Sequence, residues 1–354
     1  MSSIALEYAN QWQEVAPCAD APSLLVECEG QLGHIGSDGS LIRDFGLVGP
    51  VDCPLAYDSE SRTAYRYVCG ADLSRRDFSQ LNAYALDRGS VETLCELPLN
   101  QWALWLLTWI RGDDGRGGQL FGLMASDLPI EGQVCLQHRL FALDPERPLP
   151  RFRALCRDAY KPLAFSKRRR QLIFSGAEGT YLIGLNGERV RTLASEQRPP
   201  ADSASFDPSG AGRVALSSEG PTLWDLESGR SQQLTKRGRQ PVWSPQGDSI
   251  WYADSSGALH RYDLIDQRSE RVLSIKANRF PDFWKSRLVC ISPCGRYLAA
   301  MLLARKLVGV TRKSGGIDKN EKVYQDENCF CVLDLEAQSF WRVEGPFNSV
   351  FRWV

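Results

Sequence analysis

Histidine is scarce in this chain: His34, His138 and His260 are the only three among 354 residues. Imidazole is the commonest metal ligand and the usual acid–base group near neutral pH, so chemistry built on a histidine cluster has little material here. An excess of one charge is lacking too, with 42 lysines and arginines against 43 aspartates and glutamates. No global field draws such a molecule to nucleic acid or an anionic membrane, and any charged contact must be local. Long apolar runs are missing. WALWLLTWI (102–110) and YLAAMLLA (297–304) fall far short of the ~20 residues that span a bilayer, so no membrane association is expected. The opening MSSIALEYANQWQEV has no basic n-region and no continuous apolar h-region, which argues against a secretory signal. The G-x-S-x-G elbow, the G-x-x-x-x-G-K-[ST] phosphate loop and H-E-x-x-H are all absent, which excludes the enzyme classes built on them.

Cysteine, by contrast, is plentiful. There are eleven, an odd number, and Cys53, Cys69, Cys95, Cys135, Cys290, Cys329 and Cys331 sit inside apolar runs. Without a secretory signal, this pattern reads as free thiols acting as small core side chains in a cytoplasmic protein. Cys329 and Cys331 fall on one face of a strand, but two thiolates alone make a poor zinc site. Cys290 and Cys294 straddle a turn and read as structural. No metal and no cofactor is expected. With 43% hydrophobic residues the chain can bury a substantial core.

That core is organised by a repeat. An apolar strand, a turn, a second strand, a third strand ending near Asp-Leu, another turn and a fourth strand recur along the chain. Four copies align well: KPLAFSKRRRQLIFSGAEGTYLIGLNGERVRTL (161–193), ASFDPSGAGRVALSSEGPTLWDLESGRSQQL (204–234), QPVWSPQGDSIWYADSSGALHRYDL continuing to 273, and 287–343 with an insertion. Their first turns begin at Ser166, Asp207, Ser244 and Ser292, giving steps of 41, 37 and 48 residues. This spacing fits the ~40–50 residues of a four-stranded propeller blade. Two looser copies occupy 51–97 and 102–155. At the ends, 23–45 has room for three strands, and SVFRWV (349–354) resembles the first strand QPVWSP. A split blade joining the two ends would complete a ring and remove its open edges.

On LWDLESGR (223–230), RYDL (261–264) and the turn motifs, the chain resembles the WD40-like and TolB-like seven-bladed β-propeller superfamily. The resemblance implies an all-β fold in which the C-terminal strand pairs with the N-terminal blade. The expected blades are 23–48 plus 348–354, then 50–100, 101–158, 160–196, 203–236, 239–276 and 286–345, all within one domain of 23–354. Residues 1–22 lie outside it as a short helix or an extended arm, the helix slightly favoured. No functional residue is carried over from the resemblance.

Extra residues fall between the second and third strands of blades 2, 3 and 7: GADLSRRDFSQ (70–80), SDLPIEGQV (126–134) and VGVTRKSGGIDKNEKVYQDEN (308–328). Read as long loops, they emerge on one rim, where a rigid scaffold carries its binding residues. Arg75, Arg76, Asp77, Arg312, Lys313, Asp318, Lys319, Lys322 and Tyr324 are the candidate contacts. Their mixed charge suits a protein partner better than a nucleic acid. The basic run at 167–170 is expected in a solvated turn on the opposite rim. The leading expectation is therefore a non-catalytic scaffold or adaptor. The alternatives are a propeller enzyme of the metal-assisted lactonase or lyase type working at the channel mouth, and a dedicated immunity or chaperone-like binder of one effector. The oligomeric state is not legible in the sequence.

Overall fold

The computed structural model describes residues 6–28, 31–47, 55–69, 79–96, 103–111, 118–130, 133–144, 147–157, 159–166, 168–176, 179–184, 188–194, 201–217, 220–236, 238–254, 258–275, 289–292, 294–312, 320–345 and 347–354. Every regular element among them is a strand. The chain opens with β1 (Leu6–Tyr8) and β2 (Gln13–Glu14), followed by β3 (Leu24–Cys28), β4 (Gln31–Ile35) and β5 (Leu41–Leu47). Then come β6 (Leu55–Asp58), β7 (Thr63–Cys69), β8 (Ser79–Ala85) and β9 (Ser90–Glu96), and next β10 (Ala103–Arg111), β11 (Gly118–Ile130), β12 (Gln133–Asp144) and β13 (Arg147–Arg157). The middle of the chain forms β14 (Ala159–Ser166), β15 (Gln171–Gly176), β16 (Gly179–Gly184) and β17 (Arg189–Ala194), then β18 (Ser203–Phe206), β19 (Arg213–Ser217), β20 (Pro221–Asp225) and β21 (Ser231–Gln233). The last third adds β22 (Arg239–Trp243), β23 (Ser249–Ala253), β24 (Leu259–Asp263) and β25 (Arg268–Ile275), then β26 (Val289–Ile291), β27 (Tyr297–Arg312), β28 (Asn320–Asp334), β29 (Ser339–Val343) and finally β30 (Phe347–Trp353).

These strands fall into seven sheets. Six of them are built from four consecutive strands, β6–β9, β10–β13, β14–β17, β18–β21, β22–β25 and β26–β29, and the seventh has the order β30-β3-β4-β5. First strands of successive sheets lie side by side, as with β6 beside β10, β14 beside β18 and β22 beside β26. Apolar clusters fill the spaces between neighbouring sheets. One joins Leu25 and Leu32 to Tyr57 and Tyr84, another joins Ile173 and Leu182 to Val214 and Leu216, and a third joins Leu24 and Val26 to Val332 and Trp341. This is β-propeller architecture, with neighbouring sheets packed face to face across these clusters.

The repeat's punctuation has a physical cause. At the ends of three of the third strands, β20, β24 and β28, an aspartate accepts backbone amides two and three residues on: Glu227 and Ser228 donate to Asp225, Ile265 and Asp266 to Asp263, and Glu336 and Ala337 to Asp334. The following leucine donates its own amide across to the first turn, Leu226 to the Gly212 carbonyl, Leu264 to Asp248 and Leu335 to Arg296. Gly229, Gln267 and Gln338 close these turns at positive φ, as a tight reversal requires. Ser244 and Ser292 cap the first turns in the same way, their hydroxyls accepting the Ser249 and Tyr297 amides. The basic run lies in the turn between β14 and β15, where Arg168 donates to the Ser209 carbonyl of the next sheet's turn at 2.5 Å.

The N-terminal residues correct the helix expectation. β1 extends the β22–β25 sheet, pairing antiparallel with β25, and β2 runs parallel to β29 on the adjacent sheet. Trp12, buried between the two, anchors this arm in the cluster formed by Trp251, Leu273, Leu298 and Phe340. Two free sheet edges with unpaired backbone groups outcompete a short helix that would have to satisfy itself. At the other end, β30 pairs antiparallel with β3 from Leu24↔Trp353 to Cys28↔Phe347. The Trp353 indole donates to the Cys290 carbonyl of β26 at 3.0 Å, just as Trp243 of β22 donates to Ser205 of β18 at 2.9 Å. The likeness of FRWV to QPVW is therefore a likeness of position.

Candidate interaction rim

The second corrected expectation concerns the insertions. The described parts of these insertions, 126–130 with 133–134 and 308–312 with 320–328, continue the second and third strands as paired ribbons rather than loops. β11 and β12 stay paired out to Ile130↔Gln133, and β27 and β28 out to Arg312↔Asn320. From Leu303↔Asn328 outward, β27 and β28 pair only with each other among the described strands. Ten residues at ~3.3 Å each carry this ribbon about 30 Å beyond its sheet, and the β11–β12 extension from Ser126 reaches about 17 Å. A register shift between Leu307 and Gly309 twists the longer ribbon partway along.

Register decides what each face offers. Arg312 stands opposite Asn320, Val310 opposite Lys322 and Leu307 opposite Tyr324. Cross-strand partners and i, i+2 neighbours share a face, so the positions of Arg312, Lys322 and Tyr324 fall on one side of the ribbon. Lys313, Asp318 and Lys319, between β27 and β28 in sequence, and Arg75, Arg76 and Asp77, between β7 and β8, lie outside the described residues. The structure thus brings together three of the nine candidates.

Sequence reasoning missed two polar groups on this rim. At the entry to the first strands, Asp202 and Arg239 are 3.5 Å apart, and the Gln240 amide donates to the Ser203 hydroxyl at 3.0 Å. Where β23 turns into β24, the Asp254 carboxylate lies 2.9 Å from His260 Nε2 and accepts the Ala258 amide at 3.1 Å. The His260 ring stacks on Tyr252 with centroids 5.2 Å apart, and the Tyr252 hydroxyl meets Ser269 at 2.5 Å. Burial raises the Tyr252 pKa above its ordinary value against the pull of its hydrogen bonds to Ser269 and Thr235, so the phenol stays protonated. The only sequence signal for the Asp254–His260 pair is its spacing across a short turn.

Among the described residues the rim offers hydrogen bonds and paired charges, the Asp202–Arg239 and Asp254–His260 contacts. Among the described residues no group of three or more His, Cys, Asp or Glu side chains could hold a metal ion. Partly exposed positions in three of the described first strands are Ser203, Ala204, Ser205 and Phe206 of β18, Val242 of β22 and Cys290 and Ile291 of β26. His34, His138 and His260 lie in the third strands of their sheets, β4, β12 and β24. No helix among the described residues is long and apolar enough to cross a membrane.

No family model matches the chain. No curated protein matches it either. Among solved structures it is similar to oligogalacturonate lyase from Vibrio parahaemolyticus, at 10% sequence identity and a TM-score of 0.58, over 85% of this chain and 88% of that one. At that identity the likeness establishes the fold, a β-propeller.

Proposed function

We propose that this protein is an interaction scaffold that docks a protein partner on the rim bearing the two ribbons. The carrying observation is the β27–β28 ribbon, which from Leu303↔Asn328 outward pairs with no other described strand. A two-stranded ribbon alone is marginally stable in water, and a partner laid against one face would supply the missing burial. On this reading Arg312, Lys322 and Tyr324 form the docking face, Lys313, Asp318 and Lys319 its tip, and Arg75, Arg76 and Asp77 a flanking contact. The cytoplasm is the compartment we assign, because free cysteines such as Cys95, Cys329 and Cys331 suit a reducing environment.

We read each sheet as one blade, giving seven, with the β30–β3 pairing as the closure. The repeated Trp243 and Trp353 hydrogen bonds support this reading, because they give the closing strand the same inter-sheet contact as an internal one.

The test is a register-matched excision. Arg305 pairs with Asp326, so replacing 305–326 by a two-residue Asn-Gly turn rejoins Ala304 to Glu327 with the ladder intact. Affinity purification of the tagged full chain is expected to yield a stoichiometric protein partner that the excised form loses while melting as before. Retention of that partner, or no partner with either form, overturns the reading.

A second reading, an enzyme acting on a small molecule at the channel mouth, is favoured by the likeness to a lyase structure. It predicts a divalent metal or a carbohydrate-type ligand bound by the purified protein, measurable by metal analysis and by calorimetry with uronate oligosaccharides.

A further inference from the structure

We propose that the N-terminal arm is an exchangeable strap, and that the edges it covers on β25 and β29 also take the arm of a second copy of this chain, giving a two-fold dimer. The arm belongs to no sheet of its own. β1 and β2 add to the last strands of two sheets that already hold four, three residues against β25 and two against β29. Both edges would otherwise present unpaired backbone groups, so each accepts an extended strand that fits it.

Side chains define what fits. Trp12 is buried against Trp251, Leu273, Leu298 and Phe340. An arginine stands on either side of it: Arg271 lies 3.5 Å from Glu7, and Arg342 donates from Nε to Glu14 at 2.7 Å. The occupant is therefore an extended segment with a tryptophan between two carboxylates, spaced as Glu7, Trp12 and Glu14 are. A second copy supplies that segment and carries the same acceptor, so the exchange is reciprocal and closes on itself.

The arm is lightly held on its own ring. Of residues 6–17 Trp12 alone is buried, and both ion pairs are partly exposed. A groove of about 500 Å³, lined by Leu6, Glu7, Tyr8, Ala9, Arg271 and Val272, runs along β1 and leaves this strand incompletely packed. The Val15 amide donates to the Phe340 carbonyl, and the Cys18 carbonyl accepts the Ser37 hydroxyl, so the exposed Ala16 and Pro17 form the joint between two pinned points. Pro17 restricts Ala16 to extended backbone, which directs a released arm outward. At ~3.3 Å per residue, 6–17 then reach about 40 Å. Every contact given up on one ring is regained on the other, and chain concentration sets the balance. The ribbon-docking reading does not enter this inference.

Sedimentation of the full chain from low to several hundred micromolar is the first test. A dimer that grows with concentration is expected, and Trp12→Ala, which removes the anchor, should stay monomeric throughout. Charge reversal then separates arm exchange from any other dimer contact. One variant carries Glu7→Arg with Glu14→Arg, the other Arg271→Glu with Arg342→Glu, so like charges meet within each alone. In the mixture opposite charges meet again in both directions, but only where each arm lies on the other copy. Native mass spectrometry is expected to show at least about tenfold more heterodimer in the mixture than homodimer in either variant alone. A wild-type chain that stays monomeric, a dimer that persists in Trp12→Ala, or a mixture no richer in dimer than its parts overturns the proposal.

Discussion

His34 shows how a single ring ties the two ends of the chain together. Its Nε2 lies 2.7 Å from the Ser23 hydroxyl, which in turn donates to the Val354 carbonyl at 3.2 Å. That relay assigns the proton to Nε2 and leaves Nδ1 as a buried atom with no hydrogen-bond partner. Protonating Nδ1 would bury a charge without an acceptor, and burial, reinforced by Arg62 and Arg43, lowers the His34 pKa below its ordinary value. A depressed folded pKa gives stability that is complete above the unfolded value of about 6.5 and is lost as pH falls through the folded one. Urea unfolding between pH 7 and pH 5 should therefore show stability declining in the wild type. His34→Gln, which keeps a donor but cannot titrate, should flatten that slope. Trp341 makes a comparable bond, its indole donating to the Ser37 carbonyl at 2.8 Å in a fully buried site. Trp341→Phe removes the donor and leaves that carbonyl unpaired, so a loss of about 2 kcal/mol is expected by chemical denaturation.

At the scale of elements, the arm and the ribbon are opposite cases. The arm borrows its stability from edges that exist only once β25 and β29 are in place. Trp12→Ala should cost about 3 kcal/mol, read as a lower denaturation midpoint at unchanged slope. The outer ribbon pairs with no other described strand, so its excision is expected to leave the midpoint where it was. The ribbon was not legible in the sequence, and the arm only as the less favoured of two readings. Ala5, Ala9 and Trp12 are spaced as a helix face would be, and nothing local reveals the two edges that claim the arm instead. Residues 308–328 lack the sustained apolar alternation that marks a core strand, so the stretch reads as a loop. The turns were legible, because Asp225, Asp263 and Asp334 act within three residues of themselves. The Asp254–His260 contact has no such local rule.

For the molecule as a whole, the decisive joint is between strands more than three hundred residues apart. β30 brings the buried Trp353 into the cluster of Leu24, Ile35, Tyr297 and Val332, so the last strand completes a core built from both ends. A sheet lacking its first strand would expose the β3 edge and leave a large void where Trp353 sits, and the contacts that hold the β26–β29 sheet against β3 would fail with it. Removing residues 347–354 should therefore abolish cooperative unfolding of the entire chain rather than trim its stability. A synthetic peptide of that sequence, added in trans, should restore the transition in a concentration-dependent way, since it binds only the folded state. If instead the truncated chain melts cooperatively at the wild-type temperature, the ring closes without β30 and the seven-blade reading fails with it.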